Sequence, residues 1–181
     1  MILGFFRKDP RRPVIEALYQ RIAAAARHPV LYLNLSVPDT VEGRFEAIVL
    51  HLTLTLRRLR QLPPPAEAVA QDLVDCFFRH LDASLRELGV GDAGVPRRMK
   101  SLGAAFNGRS QAYDAALDQP GDEVLAGALG RNVIETVEPA WDLADYVRQC
   151  EAALAPLTLD ALLADGPPLP GRRVPEQEKA P

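Results

Sequence analysis

The sequence predicts an all-α protein: a single-domain bundle of about six helices, with one extended connector and a disordered C-terminal tail. Three observations carry this. Leu and Ala dominate the apolar residues and aromatics are only 6% of the chain, a balance that favours helix over sheet. Apolar residues recur at spacings of three and four through long windows. Turn-forming clusters such as His28-Pro29, Pro63-Pro64-Pro65 and Gln119-Pro120-Gly121 separate those windows. At 181 residues the chain fits one domain and buries enough surface to need neither disulfide nor metal for its core.

Residues 1–12 run apolar first (Met1, Ile2, Leu3, Phe5, Phe6) and basic afterwards (Arg7, Lys8, Arg11, Arg12). A secretory signal has the reverse order, so export is not expected. Two readings stand: a frayed end, or a weak anchor with Phe5 and Phe6 in the lipid interface and the four cations on anionic headgroups. The helical domain is expected over 13–165. Pro13 suits the first turn of a helix over 13–27, with Ile15, Leu18, Ile22 and Ala25 on one face. Pro29 ends it, because the residue before a proline leaves the α region. Residues 30–37 alternate in a strand-like period, yet no second strand is available to pair with them. They are expected as an extended or short helical connector packed on the core.

The second helix starts at Asp39 or Thr40 as N-cap and ends at Leu62. Phe45, Ile48, Leu52, Leu56 and Leu59 form one stripe, and Leu50 and Leu54 a second. Apolar residues on two faces mark the most enclosed helix. The third covers 66–88, with Val69, Leu73, Cys76, Phe77, Leu81, Leu85 and Leu88 inward and a charged, solvated outer stripe. A glycine-rich link leads to a fourth helix over 95–118. Asp122 caps a shorter fifth that ends near Asn132. Pro139 opens a sixth, with Leu143, Val147, Cys150 and Leu154 inward, and residues 158–164 add a turn or two. From 166 to 181 the chain is Pro- and charge-rich without periodicity, as disordered tails are.

Several functions are excluded by composition and motif. A net charge of −3 disfavours nucleic acid. The basic start contrasts with 120–165, which holds nine acids and two arginines; such asymmetry suits self-complementation or an oriented partner. No run reaches the 18 to 20 apolar residues of a membrane span. Cys76 and Cys150 read as buried thiols of a reducing compartment, with a disulfide between them left open. Gly89, Gly91 and Gly94 match the spacing of a dinucleotide loop, but a helix rather than a strand precedes them, so Gly89 reads as a helix cap. His28, His51 and His80 lack metal-ligand spacing. Nucleophile-elbow, Cys-x-x-Cys and phosphate-loop motifs are absent. Neither metal, cofactor nor catalytic residue is expected, and the protein is expected in the cytoplasm, with peripheral attachment to the inner face of the inner membrane as an option.

The fourth helix carries the candidate site. Its apolar stripe reads Met99, Leu102, Phe106, Tyr113 and Leu117, and Arg109 falls inside it. An arginine there snorkels, finds a buried carboxylate, or meets a partner. Arg97, Arg98 and Lys100 crowd the first turn, where cations oppose the helix dipole; they form either a solvated basic corner or a surface for an acidic segment.

The run from Val37-Pro-Asp-Thr through Arg44-Phe45 to His51-Leu52 is followed by Leu85-Arg86-Glu87-Leu-Gly89-Val-Gly91-Asp92. Ala105-Phe106-Asn-Gly108-Arg109 then leads to Tyr113-Asp114-Ala-Ala-Leu117. Together these resemble the bacterial branch of the ubiquinol–cytochrome c chaperone family, over roughly 13–155. Asn107 departs from the pattern, which has an aromatic beside Phe106. The resemblance implies a non-enzymatic assembly factor that binds newly made cytochrome b and promotes assembly of ubiquinol–cytochrome c reductase. A small helical partner and the ribosome are further partners it implies for mitochondrial members, whose compartment would be the matrix. Arg44, Arg97, Arg98, Lys100, Phe106, Arg109 and Tyr113 are the expected partner-binding residues. The competing reading is a helical enzyme or small-ligand regulator with a pocket around Arg109 and Tyr113.

Overall fold

A computed structural model of the protein describes residues 11–167, and all statements below concern these. They form eight α-helices, one π-helical turn and no strand. In chain order these are α1 (Arg12–Ala25), α2 (Pro29–Leu33), α3 (Val41–Arg60), α4 (Ala66–Glu87), α5 (Val95–Leu117) and α6 (Glu123–Leu129). The π turn (Gly130–Ile134), α7 (Trp141–Leu154) and α8 (Leu159–Asp165) complete the chain. The expected bundle is present. The helix count is higher because two short elements, α2 and α8, sit where a connector and an extra turn were expected. Beyond residue 167 the expected tail lies outside the described residues, as do Phe5, Phe6, Arg7 and Lys8.

The connector is helical in its first half. Its side chains do not follow a strand period: Val30, Leu31, Leu35 and Val37 are buried, whereas Leu33 is 80% exposed. His28 explains the start, since its Nδ1 accepts from the Val30 amide at 3.3 Å with Pro29 at the first helical position. The alternation in sequence does not separate an extended connector from a short helical one, because eight residues are too short a window to distinguish a strand period from one helical turn followed by a bend.

α3 is the core helix. From Val49 to Leu56 every residue is buried, whatever side of the axis it occupies, and α1, α4, α5, α7 and the π turn all pack on it. Thr40 caps it by accepting from the Gly43 amide at 3.0 Å. Gly43 itself meets α2's exit so closely that a Cβ would collide with the Pro38 carbonyl. The enclosed His51 stays neutral. Its Nδ1–H donates to the Ala47 carbonyl at 2.7 Å, which leaves Nε2 to accept from the Tyr146 hydroxyl at 2.8 Å. Burial holds its pKa down at about 4.

At the C-terminal end of α3, Arg57 reaches Asp118 (2.6 Å), Glu151 (3.0 Å) and Asp114 (3.6 Å), joining α3 to α5 and α7. Arg58 donates twice to the Leu157 carbonyl, which anchors the approach to α8. α4 ends as its glycine foretells. Gly89 has φ +80°, its amide bonds to the Arg86 carbonyl, and the Val90 amide bonds to the Leu85 carbonyl. This is a Schellman termination, and the glycines here serve a helix end rather than a phosphate. Leu88, expected inward, is 62% exposed because the helix has already turned left-handed beside it. Asp122 holds the N-cap position of α6, but its carboxylate accepts from Arg148 at 2.8 Å instead of capping. Both cysteines are free and buried.

Candidate functional site

The first half of α3, the second half of α4 and the first half of α5 diverge enough to leave a groove of about 560 Å³. Its floor is apolar: Phe45 and Ile48 from α3, Phe77, Leu81 and Leu85 from α4, Leu102 from α5. Phe45, Ile48 and Leu81 are only partly buried although they pack against the core. Beneath lies an aromatic cluster in which Phe77 sits 5.5 Å from Phe106, and Phe106 stands edge-on to Phe78 at 5.7 Å. The rim is polar and charged, with Arg27, Arg44, Arg98 and Arg109 set against Glu42, Glu46 and Glu135. Val41 and Leu88, both exposed, extend the apolar surface outward at its edge.

Arg109 finds a buried carboxylate. Its Nε donates to both oxygens of Glu46, at 2.7 and 2.6 Å. Glu46 is 8% exposed and Arg109 28%. Burial pushes the Glu46 carboxyl above its usual range and the arginine only partly reverses this. The hydrogen bond to Glu46 holds the Arg109 guanidinium charged. An ion pair taken out of water gives little net stability, but removing one member strands the other. Arg109 is therefore a brace between α3 and α5 whose outer edge still lines the groove.

The other expected residues separate into three groups. Arg44 and Arg98 do reach the groove rim. Arg44 is committed locally: it pairs with Asp39 at 2.7 Å and lies over the Tyr32 ring at 5.9 Å. Arg97, Arg98 and Lys100 are exposed on the first turn of α5, and Arg97 and Lys100 lie outside the groove lining. Tyr113 is fully buried and Phe106 is 6% exposed, so neither ring presents itself to a partner; they support the site from within. Burial raises the Tyr113 hydroxyl far above its ordinary range, which removes it as an acid for the pocket reading. Of the cations assigned to a membrane surface, Arg11 pairs with Asp72 at 3.4 Å and Arg12 is exposed at the start of α1.

Glu46 and the α4 wall were not singled out by sequence reasoning. A signal for Glu46 exists: it interrupts the apolar stripe of α3 much as Arg109 interrupts that of α5, and opposite charges on two apolar stripes point to each other. The α4 contribution had no such signal, because Leu81 and Leu85 look like ordinary core residues until the helices are seen to diverge.

These features define a class: an all-helical protein with an apolar groove under a charged rim, and with no described helix long and apolar enough to cross a membrane. The chain belongs to the ubiquinol–cytochrome C chaperone family, whose match spans residues 33–169. It is also similar to a solved structure, the Cbp3 homolog from Brucella abortus, at 43% identity and a TM-score of 0.76. That similarity covers 92% of this chain and 94% of the other. No curated protein matches the chain.

Proposed function

We propose that this protein is a non-enzymatic assembly chaperone that holds newly made cytochrome b in the groove between α3, α4 and α5 during assembly of ubiquinol–cytochrome c reductase. Family membership supports the chaperone role. The observation that carries the mode of binding is the groove itself. An unassembled membrane subunit exposes apolar helices with charged ends, and a floor of Phe45, Ile48, Leu81 and Leu102 under an arginine rim suits a helix laid into it. Its breadth, and the enclosure of Tyr113, favour a polypeptide over a small substrate. Residues 1–12 would hold the groove near an anionic membrane at the cytoplasmic face, where such a client inserts. Contact with a small helical partner or with the ribosome rests on the resemblance alone.

The test is genetic. Deleting the gene should lower the amount of assembled complex. The wild-type chain should restore it, and Leu102→Glu, which charges the floor, should not, although its thermal unfolding matches the parent. Normal levels of the complex in the deletion strain would refute the proposal. Sedimentation with anionic vesicles, compared with a chain lacking residues 1–10, tests the membrane contact.

A further inference from the structure

Cys76 and His80 stand four residues apart on α4 and so share one side of the helix. That side faces Glu16 of α1. Glu16 Oε1 lies 2.5 Å from His80 Nε2 and Glu16 Oε2 lies 3.4 Å from Cys76 Sγ. All three donor atoms fall within 4.8 Å of one another. We propose that Glu16, Cys76 and His80 form a binding site for a borderline divalent transition metal, with Zn²⁺ as the best match.

Ligand atoms of a tetrahedral zinc site stand roughly 3.3–3.8 Å apart, as bond lengths of about 2.0–2.3 Å require. Glu16 Oε2 already stands at this distance from Cys76 Sγ, whereas Oε1 lies about 1 Å too close to His80 Nε2, so a side-chain rotation of Glu16 must bring a single oxygen to both. One thiolate, one imidazole and one carboxylate make a set that selects zinc-like ions over magnesium or calcium, which take oxygen donors. Two anionic ligands neutralise a dication in a half-buried position. Both moving ligands are already oriented: the His80 ring stacks on Tyr19 at 4.4 Å between centroids, and the Gln20 amide holds Glu16 Oε1 at 3.1 Å. Glu16 and His80 are 39% and 34% exposed, which leaves a way in for the ion and for a fourth ligand from water.

Without metal the same groups satisfy one another, with the Cys76 thiol and the His80 ring donating to Glu16. Binding displaces the Cys76 proton to solvent as the metal–sulfur bond forms, while the His80 proton moves to Nδ1. Arg79, close to Cys76, favours the thiolate while opposing the cation.

The experiment uses the full chain after treatment with a chelator, titrated with Co²⁺ as a spectroscopic stand-in and then with Zn²⁺ as competitor. One equivalent should bind, with a sulfur-to-cobalt charge-transfer band that Zn²⁺ abolishes. Cys76→Ser should remove the band, His80→Gln should weaken binding at least about tenfold, and Cys150→Ser should change neither. His80→Gln keeps the thiol in place and decides the matter if Cys76→Ser does not fold. The three side chains are a hydrogen-bonded triad and nothing more if no cobalt binds, if bound cobalt lacks the band, or if His80→Gln binds like the parent.

Discussion

Arg109 and Glu46 show how one pair links fold and site. Glu46 is nearly enclosed, so Arg109→Ala leaves a carboxyl with no partner and should lower stability by about 2–3 kcal/mol. A double change to Gln at both positions should recover part of that loss, because it strands no charge. Urea denaturation of Arg109→Gln, Glu46→Gln and the double provides the coupling; additive losses would mean that the pair is not a brace. His51 gives the second prediction at this scale. It titrates near 4 when folded and near 6.5 when unfolded. Between these values the unfolded chain binds a proton that the folded one does not, so stability falls as pH drops from about 6.5 to about 4. The loss amounts to roughly 3 kcal/mol. In His51→Gln the pH slope of the urea midpoint should shrink, and an unchanged slope would assign the acid sensitivity to other groups.

At the scale of elements, two glycines hold corners for different reasons. Gly89→Ala meets open space but keeps a positive φ, so its cost should be about 1 kcal/mol from backbone strain alone. Gly43→Ala meets the Pro38 carbonyl and must push α2 off the start of α3, so it should lower the thermal midpoint more than Gly89→Ala does. Calorimetry of both orders them, and the reverse order would show that the corner yields. The long helices were legible because their periods, caps and stops agree: Thr40, Gly89 and the turn at 119–121 fall where expected. The connector was legible only as an extended or short helical segment packed on the core, since eight residues are too few for the period to choose between the two. The divergence of α4 from α5 was not legible. A stripe of Leu81, Leu85 and Leu102 reads as core whether the facing helix closes on it or stands away.

The whole molecule divides its polar chemistry between its regions. Arg57, Arg58 and Arg148 tie α3, α5, α7 and the approach to α8 together with ion pairs and carbonyl contacts, making a rigid frame. The groove lies at the other ends of α3 and α5, where apolar floor and charged rim are left open. An apolar surface maintained on a rigid frame is what a protein that receives another chain's helix requires. The site residues legible in sequence were charged ones: Arg109, which breaks an apolar stripe, and the rim arginines Arg44 and Arg98. Tyr113 and Phe106 share that stripe but face inward, a distinction that only the packing of α5 on α3 and α4 decides. Whether the client lies in this groove is decided by site-specific photo-crosslinking in cells that are assembling the complex. A photoreactive residue at Leu102 or Leu81 should capture cytochrome b, while one at Gln149 on α7 should not. Capture from Gln149 with none from Leu102 or Leu81 would contradict the account.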